Sequence, residues 1–324
     1  MKKIIALMLV LSLAFCFVAC KKDDKKDETP AEKNYQLAIG VALTQDKGEV
    51  ANTVAAIIID ADNKIVACRI DTLAITATLT EGLVDAGTYQ TKAEAGAAYG
   101  MLGNPYGSTL AEWDTQAKAF ETFVAGKTQA EVNGIAVDAK GKTTDETLKA
   151  GCTISITDFI KAVDNAFKST KKVAFKTAEA LTLGVSATGT VANVEDNQGN
   201  AKLNELSYTA DFAATAFAGG KVVAAIIDSN EATTTVEGTE FAAVTYPGTK
   251  LEQGDAYGML NSPWGGSKFA EWYTQAQNYA NLAIGKTAAE LAGLSTDKTE
   301  LTGICTMYAG GYKAALQKAA TYTR

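Results

Sequence analysis

The sequence predicts an α+β chain of two tandem repeats, each a mainly antiparallel sheet with helices packed to one side. Three observations carry this expectation. The first is an internal duplication: Ala98 to Thr128 aligns with Ala256 to Thr287 at 17 identities in 31 positions, with one gap at Gly266. The second is that β-branched runs open each copy. The third is that apolar residues at helical spacing follow them. Segregation of strands from helices along the chain is the pattern of α+β architecture.

The duplication extends in both directions. KIVACRID, Lys64 to Asp71, answers KVVAAIID, Lys221 to Asp228. GCTISITDFIKAV, from Gly151, answers ICTMYAGGYKAAL, from Ile304. The expected division is 34–170 for the first repeat domain and 171–324 for the second, with the joint in the basic stretch Lys168 to Thr177. Each copy has the size of an ordinary domain.

Within the copies, TVAAIIID and KIVACRID flank Ala61, Asp62 and Asn63, and DFAATAF and KVVAAIID flank Gly219 and Gly220. Both patterns read as hairpins. Asp60, Asp62 and Asn63 also hint at a calcium loop, but Ile65 stands where that loop needs glycine, so a turn is expected. Leu110, Trp113, Ala117, Phe120 and Val124 step by three and four, as do Phe269, Trp272, Ala276, Tyr279 and Ala283. Each set predicts a helix with one buried face. Thr109 with Glu112, Thr128 with Glu131 and Thr287 with Glu290 fit capping boxes, and Gly126 and Gly285 suit helix ends.

The first thirty residues are of a different kind. Met1, Lys2 and Lys3 precede an apolar run from Ile4 to Phe17 that is too short to span a bilayer, which predicts a signal peptide over residues 1–19. Phe17-Val18-Ala19-Cys20 resembles the lipobox of bacterial lipoproteins, in which the cysteine is acylated. That resemblance implies lipid on Cys20 and an exported chain held at the extracytoplasmic face of the cell membrane. Residues 20–33 then form the expected tether. From Lys21 to Lys33 it carries five Lys, five acidic residues and no large apolar group, so it has nothing to bury. Its reach is at most about 40 Å.

Composition excludes several functions. The chain has no His, which removes Ser-His-Asp and Cys-His catalysis and His-ligated metals, and no metal site is expected. Without residues 1–19 it holds 28 basic and 37 acidic residues, so nucleic acid is not an expected partner. Only Cys68, Cys152 and Cys305 follow Cys20, an odd number that argues against a disulfide framework. The GKT at Gly126 and Gly285 lacks the earlier glycine of a P-loop, since Glu121 and Ala280 stand there.

The most distinctive block is YGM followed by E-W-x-T-Q. Trp113 and Trp272 at helical spacing read as core. Glu112 with Gln116, and Glu271 with Gln275, fit two roles equally: lining a polar pocket, or bracing an exposed helix edge. Farther on, Ala150-Gly151-Cys152-Thr153-Ile154-Ser155 resembles the S/T-G-A-T-[VI]-S motif of the FMN-binding domain family, whose members include flavin-carrying subunits of Rnf-type and sodium-pumping complexes. Thr302-Gly303-Ile304-Cys305-Thr306 looks like the same element with one residue inserted. The resemblance implies FMN as a cofactor, esterified to Thr153 and Thr306, and a membrane electron donor as partner. The other reading of these Thr is the start of the last helix in each copy.

Two functions are therefore expected. One is a surface electron carrier in which the flavin does the chemistry. The other is a non-catalytic module that binds a small ligand, glycan or partner protein, with a purely structural surface protein beyond it. A redox carrier or binder is favoured over a hydrolytic enzyme.

Overall fold

Alternation along the strands decides the layers. In the first half, Leu37, Ile39, Val41, Val54, Ala56, Ile58, Leu73 and Ile75 belong to one buried cluster, while Ala38, Ala42, Ala55, Ile57, Ile59, Cys68 and Ile70 belong to another. Successive side chains of a strand point to opposite faces, so this sheet is buried on both. The computed structural model describes residues 31–324 except 86, 106 and 263–266. The expected signal peptide, Cys20 and the expected tether through residue 30 lie outside the described residues, as do Tyr106, Pro263 and Trp264.

The first half begins with β1 (Lys33–Asp46), β2 (Glu49–Ile59) and β3 (Ile65–Thr76), then the small hairpin β4 (Leu79–Thr80) and β5 (Leu83–Val84). Helices α1 (Lys92–Ala95), α2 (Trp113–Val124), α3 (Gln129–Asn133), α4 (Glu146–Lys149) and α5 (Thr157–Lys168) follow. A short strand, β6 (Val173–Thr177), comes next. The second half runs β7 (Leu181–Glu195), β8 (Ala201–Ala218), β9 (Lys221–Glu237), the short β10 (Glu240–Phe241), α6 (Lys250–Gln253), α7 (Trp272–Asn281) and α8 (Gly310–Thr321). The chain is thus a mixed helix and sheet protein, and among the described residues β1 to β10 pair antiparallel.

Two four-stranded sheets form, in the orders β3-β2-β1-β6 and β10-β9-β8-β7. Helices α2 and α5 cover the outer face of the first, and α7 and α8 lie on the second. The remaining faces pack on each other, with β3 and β2 against β7 and β6 against β9. Residues 32–324 consequently form one compact unit with a core shared by both halves. The stretch expected to join two domains closes α5 and then supplies β6, which pairs with β1 from Lys33↔Thr177 to Leu37↔Val173. Strand β1 starts at Lys33, one residue inside the expected tether.

The contacts of α5 and α8 with their sheets each depend on a glycine. A Cβ on Gly40 would overlap the backbone of Ala162 and Ala166 in α5, and one on Gly184 would overlap that of Ala319 in α8. Glycine at these points lets a helix backbone approach the sheet.

The halves also exchange their tails. Lys171, just after α5, sets its Nζ 3.7 Å from the ring centroid of Tyr273 on α7. Arg324, just after α8, pairs with Asp114 and Glu121 on α2, each at 2.8 Å. Arg69 on β3 completes this buried group, donating to Glu121 at 3.0 Å and to the Tyr322 carbonyl at 2.7 Å.

Several expectations meet the structure directly. The hairpin turns stand where predicted, and Asp60 Oδ1 accepts the amides of Asp62 and Lys64, both at 2.9 Å, which makes a turn rather than a calcium loop. Trp113, Ala117, Phe120 and Val124 are buried on α2, and Trp272, Ala276 and Tyr279 on α7. Leu110 and Phe269 are a correction: both precede their helices and are exposed. Glu112 is also corrected, because it is itself the N-cap residue and its carboxylate bonds elsewhere.

Candidate functional site

The YGM segments are held from the side. Gly100 and Gly258 both adopt φ of 70°, a left-handed conformation that glycine enters without penalty and that turns the chain out of its 3-10 helix. The carboxylate of Glu112 then accepts the amides of Met101 and Leu102, both at 2.9 Å. In the second half Glu271 accepts from Met259 at 3.0 Å and Leu260 at 2.8 Å. Parallel bridges from Leu102 to Ser108 and from Leu260 to Ser267 close both loops in the same way.

Gln116 and Gln275, both fully buried, hold a second segment. Gln116 Nε2 donates to the Ala111 carbonyl at 2.7 Å, while its Oε1 accepts the Thr153 amide at 2.8 Å and the Thr153 hydroxyl at 3.1 Å. Gln275 repeats this with Ala270 at 2.7 Å and with the amide and hydroxyl of Thr306, both at 2.8 Å. The structure therefore joins Gln116 with Thr153 and Gln275 with Thr306, while Glu112 and Glu271 face the loop backbone. Neither Thr caps a helix. Each lies four residues before α5 or α8, whose N-cap residues are Ile156 and Ala309.

Because the glutamine amide satisfies a backbone N–H that Ala could not, Gln116→Ala or Gln275→Ala should cost about 1–3 kcal/mol in urea unfolding. Thr153→Val or Thr306→Val should cost about 1 kcal/mol, since the amide bond to glutamine survives.

Above each tryptophan sits a lysine. Lys92 Nζ is 5.1 Å from the Tyr99 ring and 5.6 Å from that of Trp113, and Lys250 Nζ is 5.0 Å from Tyr257 and 5.6 Å from Trp272. These are cation–π distances. The tryptophans themselves are core: Trp113 meets Phe159 edge-on, and Trp272 meets Tyr312 and donates to its hydroxyl at 3.0 Å.

Comparison with protein-family models, with curated proteins and with solved structures finds no match. The chemistry of this chain must be read from its own geometry.

A pair of buried carboxylates anchors the segments that lead to the loops, and neither was singled out from sequence. Asp71 Oδ1 accepts the amides of Thr72 at 2.8 Å and Ala93 at 3.0 Å, and Asp228 Oδ1 accepts those of Ser229 at 2.7 Å and Leu251 at 3.1 Å. They dock α1 and α6, whose capping boxes are Thr91 with Glu94 and Thr249 with Glu252. The signal was present as T-x-x-E in both places. Burial pushes the Asp71 carboxyl up to about 6 and that of Asp228 up to about 7.

The three cysteines of the described residues are buried and free. Burial raises all three thiols, that of Cys152 to about 11, so little reactive thiolate forms. Iodoacetamide at pH 8 should leave Cys68, Cys152 and Cys305 unmodified in the native protein and label all three in denaturant, as read by peptide mass spectrometry. Among the described residues no cluster of three or more metal-ligating side chains occurs, and no helix is long and apolar enough to cross a membrane.

Proposed function

We propose that this chain is a lipid-tethered, extracytoplasmic binding protein made of two copies of one domain, which engages a partner through the loops 98–112 and 256–271. One observation carries the reading. Leu102 is 52% exposed and Leu110 43%, and at the matching places of the second half Leu260 is 39% and Phe269 45% exposed. Single exposed apolar residues are ordinary on a protein surface. The same two positions are exposed in both halves, with the Leu102 and Leu260 amides bonded to Glu112 and Glu271 and the Leu110 and Phe269 amides to Ser108 and Ser267, a patterned display of the kind that marks interaction sites.

The direction of the display supports the same reading. Ile65 exchanges hydrogen bonds with Gly126 and Lys127, so the C-terminal end of α2 lies at the β2–β3 turn. Strand pairing puts Gln36 beside Ile59, at that same end. Leu102 and Leu110, which precede α2, therefore lie toward the end of the sheet opposite Lys33.

A photo-crosslinking residue placed at Leu102 or Leu260 and exposed to the native envelope should form a discrete adduct, and one at the exposed Leu203 should not. Equal adducts at all three positions would sink the loop assignment. The anchor is tested separately: palmitate label should enter the protein and disappear with Cys20→Ala.

A second reading, the FMN carrier, is favoured by the matched setting of Thr153 and Thr306 beside buried glutamines. When bound, FMN would supply the redox chemistry. Each hydroxyl already donates to a glutamine oxygen, so attachment has to replace that bond, and for this reason the binding reading ranks first. Intact mass of protein from the native host decides it: an FMN increment that is lost on replacing Thr153 and Thr306 by Ala supports the carrier, and an unmodified mass removes it.

A further inference from the structure

A cavity of about 210 Å³ opens on the outer face of the second sheet. Its walls are Glu231 and Thr233 on β9, Thr245 on the segment entering α6, Lys250 and Gln253 on α6, and Tyr257 at the end of the 3-10 turn Gly254–Tyr257. Glu231 and Thr233 are two apart on a strand and so point the same way. Thr233 and Thr245 exchange backbone hydrogen bonds at 3.1 and 2.8 Å, which fixes the wall between them.

The first copy shows which of these residues the fold itself requires. Thr76, Lys92 and Tyr99 stand there in the places of Thr233, Lys250 and Tyr257, but Ala74 and Ala95 stand in the places of Glu231 and Gln253. TYPGTK, Thr245 to Lys250, is also one residue longer than TYQTK, Thr88 to Lys92. With alanine at both positions the first copy still builds its strand, α1 and its 3-10 turn. Two polar groups that the fold does not need, on different elements, therefore converge on one cavity. A few convergent polar groups around a concave surface are what fixes a small ligand. We propose that this cavity binds a single saccharide unit, an uncharged hexose-sized ring, as a site additional to the exposed loop residues and independent of their role.

Charge selects the class of ligand. Lys250 already faces the rings of Tyr257 and Trp272, and it has an acid nearby in both senses of the repeat. Burial raises the Asp211 carboxyl on β8, while Ser229 and Lys250 act against that rise. A Cβ on Gly311, the second residue of α8, would overlap Asp211 Oδ2. The second residue of α5 is Asp158, raised by burial and drawn back by Lys161 and Lys92. Each copy thus keeps a carboxyl near its lysine, from the strand in one and from the helix in the other. An ammonium answered in this way offers little to an anionic ligand, and a cationic one meets it as a like charge. Hydrogen-bonding capacity remains. Ser207 donates to Glu231 Oε1 at 3.1 Å and leaves Oε2, and Gln253 Nε2 donates to the Gly248 carbonyl at 3.0 Å and leaves Oε1. With the Thr hydroxyls these are acceptors and donors for ligand hydroxyls, and the Tyr257 ring suits the C–H face of a sugar.

The test uses the full chain in a sugar-free detergent, with glucose, galactose, mannose and N-acetylglucosamine followed by saturation-transfer-difference NMR, and glutamate and lysine as charged probes. At least one saccharide should bind with a Kd of about 1 mM, as suits a ligand of roughly a dozen heavy atoms. Glu231→Ala with Gln253→Ala gives the second copy the residues of the first, and it should weaken binding about tenfold or more while leaving the urea midpoint in place. Tyr257→Leu should weaken it as well, and Tyr99→Leu should not. No saccharide bound at about 50 mM, an unchanged Kd in the double variant, or tighter binding of glutamate or lysine than of every saccharide would overturn the proposal. Failure of crosslinking at Leu102 and Leu260 with saccharide binding intact would remove the loop role and leave this site standing.

Discussion

Gly40→Ala and Gly184→Ala should each destabilise the protein by about 3 kcal/mol or more, at the upper end of what overpacking a core costs. The added methyl group has no flexible neighbour to displace. It meets the backbone of α5 in one case and of α8 in the other, so the whole helix must lift from its sheet. Lifting α5 uncovers Phe159, Ala162, Val163 and Ala166, and lifting α8 uncovers Tyr312, Ala315, Leu316 and Ala319. The loss should appear as a lower urea midpoint. Gly293→Ala is the control, since no atom lies within 4 Å of its added Cβ and its backbone is unstrained, and it should shift stability by less than about 0.5 kcal/mol.

The second large effect is expected at Glu121. Its Oε1 accepts from Arg69, Ile70 and Arg324, and its Oε2 from Arg324, while the Glu121 and Arg69 side chains are 5% and 3% exposed. Glu121→Ala leaves the Arg69 guanidinium buried with the Tyr322 carbonyl and an Asp114 oxygen 3.7 Å away. Breaking one side of a buried pair costs about 3–5 kcal/mol, because the remaining charge is uncompensated. Replacing both members, Arg69→Met with Glu121→Leu, should cost less than Glu121→Ala alone. The second half supports this, for Ile226, Tyr273 and Ala280 occupy the places of Arg69, Asp114 and Glu121, and sheet and helix pack there without a buried carboxylate–guanidinium pair. A double-mutant cycle by urea unfolding measures the difference.

Parts of this fold are legible because their signals are local. The hairpins at 61–63 and 219–220, the buried stripes of α2 and α7, and the boxes at Thr128 and Thr287 each depend on residues within a few positions of one another. Leu110 and Phe269 mislead for the same reason. They continue a helical spacing, but Ser108 and Ser267 bond the Leu110 and Phe269 amides and keep the chain outside the helix. Glu112 fits a capping box by spacing and instead serves a loop ten residues back. The pairing of Gln116 with Thr153 spans 37 positions, and no periodicity reveals it.

By itself the sequence determined the element types, the internal similarity of the halves and, through the absence of His, a long list of chemistries this chain does not perform. Only the tertiary structure decided that the halves share one core. The apolar runs of β1, β2 and β8 suit burial on two faces, but which surface covers the second face is a long-range matter. It is settled by the other sheet, by β6 crossing to β1, and by the exchanged tails at Lys171 and Arg324. The same holds for Asp71 and Asp228: a carboxylate in a strand reads as an ordinary acidic residue until packing removes water from around it.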